Sequence, residues 1–357
     1  MSIKQTMETV KTGAAIPDQR TGINAWLRNS LEANRRALWP TLALLAVLIT
    51  NRFIFPDFFN ISIVDGHYYG SLIDILNRGA PVILLSIGMT LVIATRGVDL
   101  SVGAVMAICG AVSAVLVSTT SLPVPLIVLI TLGVGVLCGL WNGILVAFFD
   151  IQPIVATLIL MVAGRGIAQL ITQGQIATFE NEELSYLGSG KLFGLPFTIF
   201  ISIFTFIVVY LLVRRTALGL MIESVGANTT ASYYVGINSS MIKLLAYVIS
   251  GVCAAIAGII VAADIKGADA NNAGLWLELD AILAVVIGGT ALSGGRFYLG
   301  LSIIGVLIIQ SMNTGILVSG ITPEFNLVVK AVVVLIVLLI QSADFRDIIT
   351  KPFRGRS

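Results

Sequence analysis

Runs of roughly twenty apolar residues recur from one end of the chain to the other, with only short polar stretches between them. That repetition leaves few choices. In a bilayer each run can form a helix that satisfies its own backbone hydrogen bonds. A span needs about 20 such residues, so 357 residues hold roughly ten spans and no sizeable soluble domain. Composition agrees: 57% of the residues are hydrophobic and 11% charged, where a soluble domain carries about 25% charged residues. The expected fold class is an all-α integral membrane protein with about ten transmembrane helices.

The expected spans lie near 38–55, 73–95, a third ending near Val117, then 124–148, 154–173, 197–213, 241–262, 281–292, 298–318 and 326–341. This divides the chain into a polar segment 1–37, a membrane domain 38–342 and a basic tail 343–357. In the first segment Ile23, Trp26, Leu27 and Leu31 share one helical face, as in a helix lying along a membrane surface. No cleavable signal peptide is expected, because the following apolar run is too long and lacks a small-residue cleavage site. The span 281–292 looks short and breaks at GGTALSGGR.

Ten spans put both termini on one side. Fifteen Lys or Arg fall on that side, among them Arg96, Arg214, Arg215, Lys243 and Arg296, against Lys191 and Lys266 on the other. The opposite loops carry acids, including Asp57, Glu180, Glu182, Glu183, Asp269, Glu278 and Asp280. Basic residues collect on the cytoplasmic side of a membrane protein. Both termini and the loop 214–238 are therefore expected in the cytoplasm.

The longest internal stretch that cannot span is Arg214 to Asn238, in a loop of residues 214–240. Two short helical runs are legible in it. One runs from about Ala217 to Val225 and stops at Gly226; the other is capped by Asn228 or Thr229 and stops at Gly236. The loop thus reads as a stiff cytoplasmic helix–turn–helix on which a soluble partner pushes.

No GxxxxGK[ST], GxSxG or HExxH motif is present, and the single histidine, His67, cannot supply a histidine metal cluster. The three cysteines lie inside apolar runs and read as packed small hydrophobes. No cofactor is expected on this chain. If ATP drives it, ATP and Mg sit on another subunit. Nothing points to a nucleic-acid partner.

Polar groups at membrane depth are costly and mark either interhelical hydrogen bonds or a path. The candidates are Asn77, Thr90, Asp99, Ser101, Asn142, Arg165, Gln169, Gln310 and Asn313. Asn142 follows Trp141, an amide beside an aromatic ring, the usual chemistry for gripping a sugar. Arg165 and Gln169 are one turn apart. Asp99 and Ser101 are placed to cap the third span or to form a gate. Gly135, Gly139 and Gly143 line one helix face, which favours close packing. An internal echo is also visible: Ile87-Gly88-x-Thr90 followed by Arg96 recurs 200 residues later as Ile287-Gly288-x-Thr290 followed by Arg296.

TLVIATRGVDLSVGAVMA (90–107), WNGILVAFFDIQPIVATL (141–158), TALGLMIESVGAN (216–228) and AILAVVIGGTALSGGRF (281–297) resemble, in the same order, the permease subunits of bacterial ABC sugar importers of the ribose, xylose, arabinose and galactose type. The stretch 262–289 is similar to galactofuranose permeases in particular. The resemblance implies a transport subunit rather than an enzyme. It further implies a second permease chain, an ATP-binding subunit and a periplasmic sugar-binding protein. Residues 214–240 would couple to the ATPase, with Arg215, Leu218, Glu223, Gly226, Asn228 and Gly236 at the contact. Glu223-Ser224-Val225-Gly226 matches the Glu-Ala-Ala…Gly coupling pattern only loosely. The alternatives are an ion-coupled secondary transporter, which would want carboxylates at mid-span, and a membrane-embedded enzyme, which would want clustered acids or a metal pair.

Overall fold

The computed structural model describes residues 19–64, 66–320, 325, 327–332 and 335. The chain divides into a unit Met1–Trp39 and a unit Pro40–Ser357. Helix α1, Gln19–Ile54, begins in the first and contains Pro40. The expected face of Ile23, Trp26, Leu27 and Leu31 lies outside the described side chains, as do most of the span 326–341 and all of the tail 343–357.

Within the second unit the long helices follow the apolar runs closely. They are α2 (Ser71–Ala94), α3 (Val102–Thr119), α4 (Val124–Ala147) and α5 (Pro153–Ile171). Next come α6 (Glu182–Ser189), α7 (Phe197–Arg215), α8 (Leu218–Ala227), α9 (Thr229–Tyr234) and α10 (Ser239–Asp264). The last two are α11 (Leu277–Ile287) and α12 (Leu299–Val318). Among the described residues, eight helices are long and apolar enough to cross a membrane. The strands are two- or three-residue ladders in the connections, such as Ala177–Thr178 against Gly267–Ala268.

The helices differ in how far protein covers them. The most hydrophobic window of α2 is 83% buried, whereas that of α4 is 28% buried, so α2 is walled in by protein while α4 turns one face outward. Helix α10 packs against α2, α3 and α4 and forms the centre of the bundle. The α4–α10 contact rests on the expected glycine stripe. A Cβ at Gly135 would lie 2.5 Å from Gly251 O, and one at Gly139 2.5 Å from Tyr247 O, so only glycine lets the two backbones approach this closely.

Three expectations are corrected. The span 281–292 is not a complete helical span: α11 has 11 residues, about 16 Å of helix where about 30 Å is needed. The polar stretch before it is only partly a surface loop: Asn271, Asn272 and Trp276 are exposed, but Gly267, Ala268, Ala270 and Gly274 are buried. Gly274 is pressed against Gly103 in the first turn of α3, and irregular backbone of this kind stands at membrane depth only when covered by protein. Finally, Gly226 does not end its helix. It lies buried inside α8 without a positive φ, and it is glycine because a Cβ there would collide with Ala94 O. Gly236 does take the left-handed conformation, with φ +86.

Candidate functional site

The turn joining α2 to α3 is fixed by side chains buried in the bundle. Asp99, 2% exposed, accepts from Ser101 N (3.1 Å) and Ser101 Oγ (2.6 Å) through Oδ1, and from Ser250 Oγ (2.9 Å) through Oδ2. Asn142 Nδ2 on α4 donates to Ser101 Oγ at 2.7 Å and lies 3.4 Å from Asp99 Oδ1. Leu100 N donates to Thr157 Oγ1 of α5 at 3.2 Å. One turn thereby ties α4, α5 and α10 together. The expected cap is absent: Ser101 occupies the position before α3 but gives its hydroxyl to Asp99 instead. Trp141 is 53% exposed and Asn142 1%, so the neighbours point to different surroundings and do not form one sugar grip.

A second polar group surrounds the segment 265–276. Arg165 Nη1 donates to Ala273 O and, at 3.4 Å, to Ala270 O. Gln169 Nε2 donates to Asn271 Oδ1 at 2.7 Å. The Asn272 side-chain amide, with the N–H groups of Asn271 and Asn272, holds the Asp269 carboxyl below its usual value. Below this segment Glu278 and Asp280, read from sequence as loop acids, are buried in the first turn of α11. Asp280 pairs with Lys330 at 2.8 Å. Glu278 Oε2 is buried with no hydrogen-bond partner among the described residues. The signal for these acids was present in WLELDAILAVV, where apolar residues flank each carboxylate.

The remaining candidates sit apart. Thr90 Oγ1 donates to Ser86 O (2.6 Å) and lies 2.9 Å from Ser302 Oγ, Asn77 Oδ1 accepts from Thr198, and Asn313 Nδ2 donates to Gln310 Oε1 at 3.3 Å.

The connection between α7 and α10 is a pair of short helices. Asn228 Oδ1 accepts from Ala231 N at 2.9 Å and caps α9, and Asn238 Oδ1 caps α10 by accepting from Met241 N at 3.1 Å. Leu218 packs on the core, Glu223 is half-buried, and Arg215 is exposed. Sequence reasoning missed the apolar tip: Leu220, Tyr233, Tyr234 and Val235 are all more than 70% exposed. On the inner side Arg96 reaches α8, with Nε donating to Gly226 O at 2.5 Å and Nη2 donating to Ala227 O. A cavity of about 200 Å³ lies beside it, lined by Arg96, Asp150, Gln152, Thr229, Lys243 and Tyr247.

Residues 71–338 match the family described as branched-chain amino acid transport system / permease component. The chain is 60% identical to a galactofuranose transporter permease protein of Escherichia coli K12, over 92% of this chain and 98% of the relative. It is 39% identical to a fructose import permease of Bifidobacterium longum (94% and 95% covered) and 34% identical to a ribose import permease of Escherichia coli K12 (93% and 99%). No solved structure matches the chain.

Proposed function

Because the chain belongs to the branched-chain amino acid transport system permease family and is the permease component of an ABC sugar importer, we propose that it moves galactofuranose across the bacterial inner membrane. The observation that carries the sugar is the 60% identity to the galactofuranose permease across almost the full length of both chains. Permeases of this kind work with an ATP-binding subunit and a substrate-binding protein. The charge distribution supports cytoplasmic termini. In this reading a second permease chain completes the transmembrane path, and the α8–α9 pair docks the ATPase. Its apolar tip supports that role, since exposed clustered aromatics in a short connection are the usual anchors of a protein contact. Arg215 and Glu223 stand at the rim of the contact, where charge steers docking.

The polar candidates separate in the same reading. Asp99, Ser101 and Thr90 are closed into hydrogen bonds and act as framework, joined by the Asn142 Nδ2 donor, while Asn142 Oδ1 is buried with no hydrogen-bond partner among the described residues. Arg165, half-buried, and Gln169, exposed, keep solvent access and are the better sugar contacts. An ion-coupled mechanism is disfavoured by the family.

The test is uptake into proteoliposomes holding the permease, its ATP-binding subunit and its binding protein. ATP-dependent entry of galactofuranose ahead of ribose and fructose is expected. Preference for ribose would overturn the sugar, and ATP-independent uptake driven by an ion gradient would overturn the mechanism.

A further inference from the structure

Three backbones meet at one point on the basic end of the bundle. Helix α8 ends there with the carbonyls of Gly226 and Ala227, which have no partner within the helix. Helix α2 ends there at Ala94, followed by the turn to α3. The connection from α11 to α12 passes through the same spot, where Gly295 N donates to Ala94 O at 2.9 Å. No side chain separates them. A Cβ at Gly226 would collide with Ala94 O and lie 2.5 Å from Gly295 N, and one at Gly294 would strike Arg96 Cγ.

Arg96 closes this junction. Its Nε and Nη2 donate to the two terminal carbonyls of α8, so a fixed fork and a positive charge both meet the negative end of that helix. To reach them Arg96 adopts φ 66, a left-handed conformation that non-glycine residues take at a cost. Three residues further on, Asp99 enters the hydrogen bonds that tie α4 and α10. The guanidinium therefore bridges the ATPase-facing helix and the most deeply held turn of the bundle, 130 residues away in sequence.

We propose that Arg96 is a positioning residue for energy coupling: it transmits displacement of α8 directly to the α2–α3 turn, and not only through the flanking spans α7 and α10. This rests on the reading of α8–α9 as the ATPase-docking pair. Without the fork, α8 moves on the end of its spans while the α2–α3 turn stays in place. Sugar moved per ATP hydrolysed then falls.

The decisive variant is Arg96→Gly, because glycine accepts φ 66 freely and the clamp is lost without adding strain. In the reconstituted importer we expect Arg96→Gly to assemble and to melt no lower than wild type. The sugar-per-ATP ratio should fall about tenfold, in the range of ordinary coupling terms. Arg96→Lys keeps the charge but not the fork and should fall between the two. An unchanged ratio in Arg96→Gly would overturn the proposal. So would a drop in thermal stability and ATPase co-purification with the ratio intact, which is the mark of a purely structural clip. Failure of the docking reading looks different: the tip variant Tyr234→Asp would still co-purify with the ATP-binding subunit.

Discussion

Residues 87–96 and 287–296 carry the same spaced motif, Ile-Gly-x-Thr and then Arg, yet they build different objects. In the first, α2 runs straight through the motif and ends at Ala94. In the second, α11 stops at Ile287, and the chain leaves through a turn with positive φ at Gly289, Gly294 and Gly295. The residues between the shared positions decide the outcome. Met89 and Leu91-Val92-Ile93 continue an apolar helix, while their counterparts Gly289 and Ala291-Leu292-Ser293 do not. The turns after them differ in the same way. The turn after α2 is held by buried hydrogen bonds through Asp99 and Ser101; the turn after α11 is held mainly by glycine conformations and backbone hydrogen bonds, with one side-chain bond from Tyr298 N to Thr290 Oγ1 at 3.2 Å and with Ala291, Leu292 and Ser293 exposed. A short motif at fixed spacing therefore says little about the element around it. One junction is fixed mainly by side chains, the other mainly by backbone.

That contrast can be broken most forcefully at Asp99. Asp99→Ala strands the donors of Ser101, Ser250 and Asn142 in a dry interior. It should lower unfolding free energy in detergent by about 3 kcal/mol, part of the loss being offset because a carboxylate is no longer buried. A change under about 1 kcal/mol would mean that packing, not hydrogen bonding, fixes the turn. At the second junction the neighbours Gly288 and Gly289 should part company. A Cβ at Gly288 would lie 2.6 Å from Ser302 N, so Gly288→Ala should cost about 1–3 kcal/mol by overpacking. A Cβ at Gly289 meets nothing within 4 Å, so Gly289→Ala should cost only the left-handed strain, about 1–2 kcal/mol. A loss under about 0.5 kcal/mol in Gly289→Ala would show that the left-handed conformation does not shape the turn. Smallest of all, Ser293→Ala, on the exposed part of the second turn, should stay within about 0.5 kcal/mol by the same unfolding measurement.

The spans were legible because hydropathy is local. Expected 124–148 and 241–262 became Val124–Ala147 and Ser239–Asp264. The capped pair between α7 and α10 was legible for the same reason, since Asn228 caps the helix that follows it through an N–H three residues on. What failed depended on distance along the chain. Glu278 and Asp280 were assigned to a loop because acids crowd span ends, and the cation that accompanies Asp280 is Lys330, 50 residues on. Ser250 is 151 residues from the carboxylate it serves. Gly226 was read as a helix stop because glycine commonly ends helices; its actual reason, the carbonyl of Ala94, belongs to another element.

The glycine seam between α4 and α10 bears on how the protein is made. The partners of Gly139 and Gly143, Tyr247 and Leu244, lie about a hundred residues later, which takes the ribosome roughly 5–20 s. Throughout that interval α4 is in the membrane with an open groove of backbone, and no later helix has yet arrived to fill it. Lipid chains fill it poorly, and any other small-residue helix fills it well. Misassembly of this chain should therefore be decided during synthesis, in the seconds before α10 emerges, rather than in the finished bundle.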